Sequence, residues 1–356
     1  MTSLSGRRPG LPGVLLRGGA PVLLLALLAR SGPGAEEGGR GPITDHFDGR
    51  RFHNLEPIPL GFGDRISREF SKNRGPWNGF APGVPAPCPV DRVGDGRMRV
   101  TWVNHATVLI QMDGVNILTD PTWALRSYPR LGPTRRRPPG IDFDRLPPID
   151  VVLVSHDHHD HTDLPTLRRL SAAHGPALYA GLGNGAFLAA NGIRGVRELD
   201  WWRSVEVAPG LVLTAVPARH TSGRGPFADF KRLWCGFVLE GASGSVYFAG
   251  DTGEGSHFAA IGARFPDLSV ALLPIGGFEP AWYMACRHLG PQTALREFAV
   301  LGARVMIPIH FGTFPQSDDA ESGPLDRLCR EITEAPEPKP KVVILGHGES
   351  LEVPGT

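Results

Sequence analysis

At 356 residues, 41% hydrophobic and 21% charged, the chain can bury one large core or two modest ones, which excludes a disordered or fibrous protein. Its net charge of +1 gives no bulk attraction for nucleic acid, and no Lys/Arg stripe with interleaved aromatics appears, so a nucleic-acid partner is not expected. Cys88, Cys235, Cys286 and Cys329 are far apart and form no CxxC pair, which argues against a cysteine zinc knuckle or a dithiol redox motif. They read as isolated thiols, although an exported chain could pair two of them with a connectivity that spacing does not give.

The first 35 residues differ from the rest. Arg7, Arg8, Arg17 and Arg30 are unopposed by any acid before Glu36, and the apolar run 20–29 lies among them. That run is short for a bilayer span and suits the core of a signal peptide, with small residues up to Ala35 as a cleavage region. The expectation is an exported or membrane-associated protein, with 1–35 a signal or anchor. Residues 36–96, rich in Gly, Pro and Arg, read as an irregular arm wrapping a domain that spans 97–356.

From there short apolar runs recur between turn signals. Arg99–Val103 alternates as a strand does, and 107–112 and 115–119 flank Asp113-Gly114, a hairpin signal. Further strands are expected at 151–154, 211–216, 235–239, 245–249, 269–273, 304–307 and 341–345. Helical patterns cover 164–173 and 291–301, the second opening with Pro291 in its first turn. Many strands with a few interspersed helices predict an α/β sandwich.

The run Ser155-His-Asp-His-His-Asp-His161 follows the strand pattern 149–154 directly. Neutral imidazoles and carboxylates suit zinc or iron, and one loop carrying His156, His158, Asp160 and His161 can turn ligands toward two ions. Three more strand-like runs end near a similar residue: 212–217 reaches His220, 246–250 ends in Asp251, and 305–309 ends in His310. Four such ends in order point to a metal cluster held by loops on a rigid sheet scaffold. Asp120, at the end of 115–119, is expected to orient a ligating histidine through hydrogen bonding.

This pattern resembles the metallo-β-lactamase superfamily, whose loop motif is His-x-His-x-Asp-His with later His, Asp and His ligands. The resemblance implies an αββα sandwich binding two divalent ions, zinc by preference. His156, His158 and His220 would hold one ion, Asp160, His161 and His310 the other, and Asp251 would bridge them, with water activated between the ions as nucleophile. Several stretches are further similar to the N-acylphosphatidylethanolamine-hydrolysing phospholipase D group. They are 101–107, Leu118-Thr-Asp-Pro121, 146–150, Glu198-Leu-Asp-Trp-Trp202, Pro274-Ile-Gly276, Glu279-Pro280, 309–313 and His347-Gly-Glu-Ser350. This likeness implies cleavage of a phosphodiester to phosphatidic acid and an N-acylethanolamine.

Under that reading the groups at the reaction centre are Asp251, Asp160 and His288, and the substrate-contacting residues are Arg287, His288, His105 and His347. Arg287 stands where the group has a Gln, which keeps a donor and adds charge. Trp123, Phe278, Trp282 and Tyr283 could line a trough for acyl chains, and the basic stretch 126–137 could engage an anionic head group or bilayer surface. The partner is then a phospholipid or another phosphodiester, with peripheral membrane contact. Hydrolysis of a non-lipid ester or lactone, and non-catalytic metal binding, are the alternatives. His46, His53, His174 and His257 have no motif context and read as ordinary histidines.

Overall fold

The computed structural model describes residues 43–83, 88–94, 96–130, 132–225 and 229–354; the signal-like segment 1–35 lies outside the described residues. Among them the apolar runs become strands β1 (Met98–Asn104), β2 (Thr107–Met112), β3 (Val115–Thr119), β4 (Val151–Val154), β5 (Ala177–Gly181), β6 (Arg197–Leu199) and β7 (Ser204–Ala208). They continue with β8 (Leu211–Val216), β9 (Gly236–Gly241), β10 (Gly244–Phe248), β11 (Val270–Pro274), β12 (Val305–Ile309) and β13 (Ser350–Val353). Two sheets result, ordered β13-β1-β2-β3-β4-β5-β6 and β12-β11-β10-β9-β8-β7. The β2–β3 hairpin turns at Asp113-Gly114, both at positive φ, as the Asp-Gly signal requires.

Alternation along the strands decides the layering. Val108, Ile110, Ile117, Val151 and Leu153 join Leu213, Ala215, Val238 and Tyr247 in one large core cluster. Their neighbours Leu109, Leu118, Val152 and Val154 point the other way and pack with Leu167, Leu170 and Leu188, which belong to the helices Leu164–Ala173 and Asn184–Ala190. On the second sheet the helix Pro291–Leu301 packs against β11 and against the helices His257–Arg264 and Gly323–Glu334. Helices thus lie outside two face-to-face sheets, the expected αββα order. Parallel neighbours need crossovers, and helices supply them from β4 to β5, β5 to β6, β10 to β11 and β11 to β12.

Two local expectations need correction. Residues 341–345 form no strand: only the bridge Met306–Val342 joins them to β12, and the chain then turns through 346–349 so that 350–353 pairs with β1. Pro338 and Pro340 lie just before the apolar run and disfavour a ladder there, and the open edge of β1 captures the segment beyond the turn. The arm is not wholly irregular, since Phe62–Phe70 is helical, with Asp64 Oδ2 accepting the Gly61 N–H at 2.7 Å. The arm is fastened at several points. His46 Nε2 meets Asp200 Oδ1 at 2.7 Å with its ring stacked on Trp201, Arg68 pairs with Asp318 at 2.9 Å, and Trp77 Nε1 donates to the Asp319 carbonyl at 2.7 Å. His46 is therefore a buried fastening between the arm and the Leu-Asp-Trp-Trp segment.

His257 is buried beside Phe258, with Nε2 3.0 Å from the Thr252 hydroxyl. Burial pushes its pKa down to about 4, against the pull of Glu56. A depressed folded-state value means that its share of stability is present above the unfolded value near 6.5 and is lost as pH falls toward 4. Replacing it in His257→Gln should flatten the stability–pH curve across that window by up to roughly 3 kcal/mol, read by denaturant unfolding at pH 7 and pH 4. Parallel curves for the two proteins would remove His257 as a source of acid sensitivity.

Candidate metal centre

Five strands end at one edge of the sandwich, and each delivers part of one cluster. Asp120 follows β3, the 155–161 run follows β4, His220 lies four residues past β8, Asp251 three past β10, and His310 directly follows β12. Close approach at this edge depends on two glycines. A Cβ on Gly250 (φ +61°) would lie 2.6 Å from Ser155 Cβ, and one on Gly276 would lie 2.2 Å from the His310 carbonyl oxygen. His105, Asp120 and His310 sit in the left-handed backbone region at φ +45°, +33° and +62°. Non-glycine residues held there carry strain that surrounding structure must over-determine, as is common at functional sites.

Hydrogen bonds fix which nitrogen of three rings faces inward. His161 Nδ1 donates to Asp120 Oδ2 at 2.7 Å, and His220 Nδ1 donates to the Arg287 carbonyl at 2.9 Å. His156 Nδ1 lies 2.9 Å from the Ser155 hydroxyl, which itself donates to Asp120 Oδ2 at 2.5 Å and so accepts from the ring. In all three, Nε2 is left as a lone pair aimed into the cluster.

The spacing around those lone pairs fits a cation. His158 Nδ1 is 2.9 Å from His156 Nε2 and 3.2 Å from His220 Nε2. Ligand atoms at tetrahedral corners about zinc, with bonds of about 2.0–2.1 Å, stand about 3.4 Å apart, so these nitrogens are near cage spacing. Asp160 Oδ2 lies 3.5 Å from His161 Nε2 and 3.9 Å from His310 Nε2. Asp251 stands between the groups: Oδ2 is 3.2 Å from His161, 3.7 Å from His220 and 3.9 Å from His156, and Oδ1 is 3.2 Å from His310. His161 Nε2, both ring nitrogens of His310 and Asp251 Oδ1 are buried without a hydrogen-bond partner. Unpartnered buried polar atoms converging in this way fit a metal-ligand set better than a hydrogen-bond network. The residues group as His156, His158, His220 and Asp251 on one side and Asp160, His161 and His310, with His105, on the other.

The electrostatics agree. Burial pushes the His156, His220 and His310 rings well below the ordinary histidine value, so they are neutral and free to ligate. Burial also opposes charge on His161, but Asp251 and Asp160 overcome it and hold that ring well above its usual value. Burial would raise Asp251, yet His161, His310 and His288 hold it well below the carboxylate range. A cation held by the cluster would take the place of a proton on His161 Nε2 as partner of these carboxylates.

Other residues singled out from the sequence fall around the cluster in different roles. His105 does not point to open space: its Nε2 meets Asp160 Oδ2 at 2.9 Å and its ring lies tilted against that of His310, centroids 4.0 Å apart. His288 Nδ1 is buried, unpartnered and 3.8 Å from Asp251 Oδ2. Arg287 lays its guanidinium over the Tyr283 ring at 4.4 Å while its carbonyl holds His220. His347 is not beside the cluster; its Nδ1 faces the Pro138 carbonyl at 3.1 Å in the wall of a cleft of about 1290 Å³.

Some expectations fail here. Trp123 is no trough residue, because it packs edge-on against Phe143 and donates to the Ile141 carbonyl. Arg135 is not a solvated base of the 126–137 stretch but is buried, donating to the carbonyls of Ala124 and Thr122. His159, the fourth histidine of the run, turns away to Arg224. Gln316 was not foreseen; its Nε2 donates to Asp160 Oδ2 at 2.9 Å, and nothing in the local sequence marks this loop glutamine as a contact of a residue 156 positions away.

If the Asp120 contacts orient the ligands, Asp120→Asn should weaken metal binding roughly 10- to 100-fold, read by competition with a chelator. Unchanged affinity would show that the His161 ring needs no such partner.

The sequence description of the Beta-lactamase superfamily domain matches residues 115–311. An N-acyl-phosphatidylethanolamine-hydrolyzing phospholipase D of Caenorhabditis elegans is 37% identical over 251 residues, which cover 67% of this chain and 70% of that one. A UPF0173 metal-dependent hydrolase of Methanopyrus kandleri is 34% identical over 257 residues, covering 72% of this chain and all of that one. A solved metallo hydrolase from the archaeon Ignicoccus hospitalis superposes with a TM-score of 0.56 at 24% identity, over 73% of this chain and all of its own, and so shares the fold. With its two sheets and its strand-end His/Asp cluster, the chain belongs to the metallo-β-lactamase superfamily and is a metal-dependent hydrolase.

Proposed function

We propose that the protein hydrolyses phosphodiesters of the N-acylphosphatidylethanolamine type, releasing an N-acylethanolamine and phosphatidic acid. The observation that carries this reading is the neighbour of the metal cluster. A cavity of about 130 Å³, lined by His105, His288, His310 and Gln316, shares Trp77, Phe311 and Gly312 with the 1290 Å³ cleft. Trp102, Leu325 and Ile344 contribute apolar surface to that cleft, and Arg137 lies in its wall. A small chamber with histidines and Gln316 in its wall, beside a large amphipathic cleft, suits a phosphate head with attached acyl chains. The likeness to the nematode phospholipase supports the same substrate class.

Two divalent ions, zinc by the chemistry of the donors, would be held by the seven His/Asp ligands and would supply the charge that activates water and neutralises the phosphate. The chain's own groups do the rest. His288, kept neutral by burial that pushes its pKa down to about 4, faces the cluster and orients a phosphate oxygen. The Arg287 guanidinium, whose Nε has no partner, contributes a charge-assisted contact. In the balanced reaction the bond from phosphorus to the ethanolamide oxygen breaks, water oxygen joins phosphorus, and the leaving oxygen takes a proton. The substrate lies in a bilayer, and we place peripheral contact at the exposed Leu125 and Tyr128 beside the basic loop. Delivery to that surface would follow from an N-terminal export or anchoring signal.

Purified, metal-analysed protein should hydrolyse N-acylphosphatidylethanolamine vesicles and bis(p-nitrophenyl) phosphate, lose both activities to a chelator, and sediment with the vesicles. Intact lipid with bound metal would move the reading to non-lipid esters or lactones. Arg287→Gln should retain its metal while KM for the diester rises roughly tenfold, the scale of one charge-assisted hydrogen bond. An unaltered KM would take Arg287 out of the substrate site.

A further inference from the structure

Gln316 lies in the segment that leaves β12, and that segment is fixed on every side. Asp319 accepts the backbone N–H groups of Gly277 and Glu279 at 2.6 and 2.8 Å. Asp318 takes Arg68 at 2.9 Å and the Asn73 N–H at 3.1 Å. Glu321 holds Asn78 and Arg137. The Gln316 N–H donates to the Phe314 carbonyl at 2.9 Å, so its backbone has little freedom.

At the other end of the side chain, Nε2 meets Asp160 Oδ2 at 2.9 Å, the same oxygen that His105 Nε2 approaches at 2.9 Å. A carboxylate in this basic surround only accepts, so the amide nitrogen must face it and the amide oxygen must face away. Gln316 lines the 130 Å³ cavity with His105, His288 and His310. Its carbonyl oxygen makes no hydrogen bond among the described residues and is not sealed in the core. A hydrogen-bond acceptor is therefore presented, in one fixed orientation, beside the candidate reaction centre.

We propose that Gln316 is a specificity-determining residue: its Nε2 positions Asp160, and its Oε1 accepts an N–H from the leaving group of the substrate. The class selected is a phosphodiester whose leaving alcohol carries a secondary amide close to the scissile oxygen, an N-acylethanolamine. This rests on the phosphodiesterase reading and adds to it the group that is recognised. A site with an acceptor committed to a donor discriminates against an analogue that lacks it, because the acceptor is then left unpaired.

The test uses full-length, metal-loaded protein and two soluble phosphodiesters joining glycerol to an N-acylethanolamine, identical except that one amide is N-methylated, with release of the N-acylethanolamine measured by mass spectrometry. Each is assayed as a substrate and as a competitor of bis(p-nitrophenyl) phosphate hydrolysis. The natural protein should prefer the N–H compound about tenfold in kcat/KM or Ki. In Gln316→Met that preference should fall to near unity, and metal affinity measured by chelator competition should drop several-fold as Asp160 loses its partner. Gln316→Lys keeps an N–H donor for Asp160 but has no acceptor, so it should hold metal better than the Met variant and still lose the preference. No N–H preference in the natural protein, or an undiminished preference in Gln316→Met, overturns the proposal. A preference seen with the soluble pair and lost in the variants, while lipid vesicles stay intact, supports Gln316 and sinks only the phospholipid reading.

Discussion

The Asp120 carboxylate is the contact on which the rest of the site depends. It is fully buried at the end of β3 and accepts the Ser155 N–H at 2.7 Å, the Ser155 hydroxyl at 2.5 Å and the His161 ring at 2.7 Å. One side chain thereby ties the end of β3 to the end of β4, orients His161 directly and orients His156 through the serine. Burial raises the carboxyl's own proton affinity, opposed by His161 and Ser155, and the His161 ring is raised in turn by its carboxylate neighbours. In the ligating form the ring keeps a single proton, on Nδ1 toward Asp120. With that proton on Nδ1, the opposite nitrogen must enter the cluster as a lone pair.

From this anchor the site grows by shared edges rather than by sequence neighbourhood. β3, β4, β8, β10 and β12 come from two sheets, yet their C-terminal ends meet at one edge of the sandwich because the sheets pack face to face. Convergence brings several imidazoles and three carboxylates together where most of them are buried. Such a group is unfavourable when empty of cation, since burial penalises each charge and leaves ring nitrogens unpaired. Positive φ at His105, Asp120 and His310 adds backbone strain at the same place. Stability is provided elsewhere, by the continuous apolar cluster between and behind the sheets.

The arm and the segment after β12 form a second layer of constraint. Asp318, Asp319 and Glu321 gather the helix Phe62–Phe70, the Trp77–Asn78 strip and the 277–279 turn around one short stretch. That stretch sets Gln316 against Asp160 and lines both the small cavity and the larger cleft. The arm thus contributes to the shape of the site, through contacts that join residues some 250 positions apart.

Local chemistry alone determined much of this protein. The apolar runs 107–112 and 115–119 about an Asp-Gly turn specified a hairpin, helical periodicity with an opening proline specified 291–301, and a His/Asp run at the end of an apolar strand marked where metal would be bound. These signals are legible because backbone period, turn geometry and ligand chemistry act over a few residues. Tertiary structure alone decided what depends on distant partners. Val342 became a single bridge while 350–353 took the strand position, because the open edge of β1 was available to it. His159 was turned out of the cluster by Arg224, Arg135 was drawn inside by carbonyls, and His347 was placed in the cleft rather than at the metal centre. Gln316 gained its role only from an oxygen 156 residues away. A hydrogen bond of that span leaves no mark in a sequence, since which side chain meets which is settled only when the sheets pack and their edges close on one another.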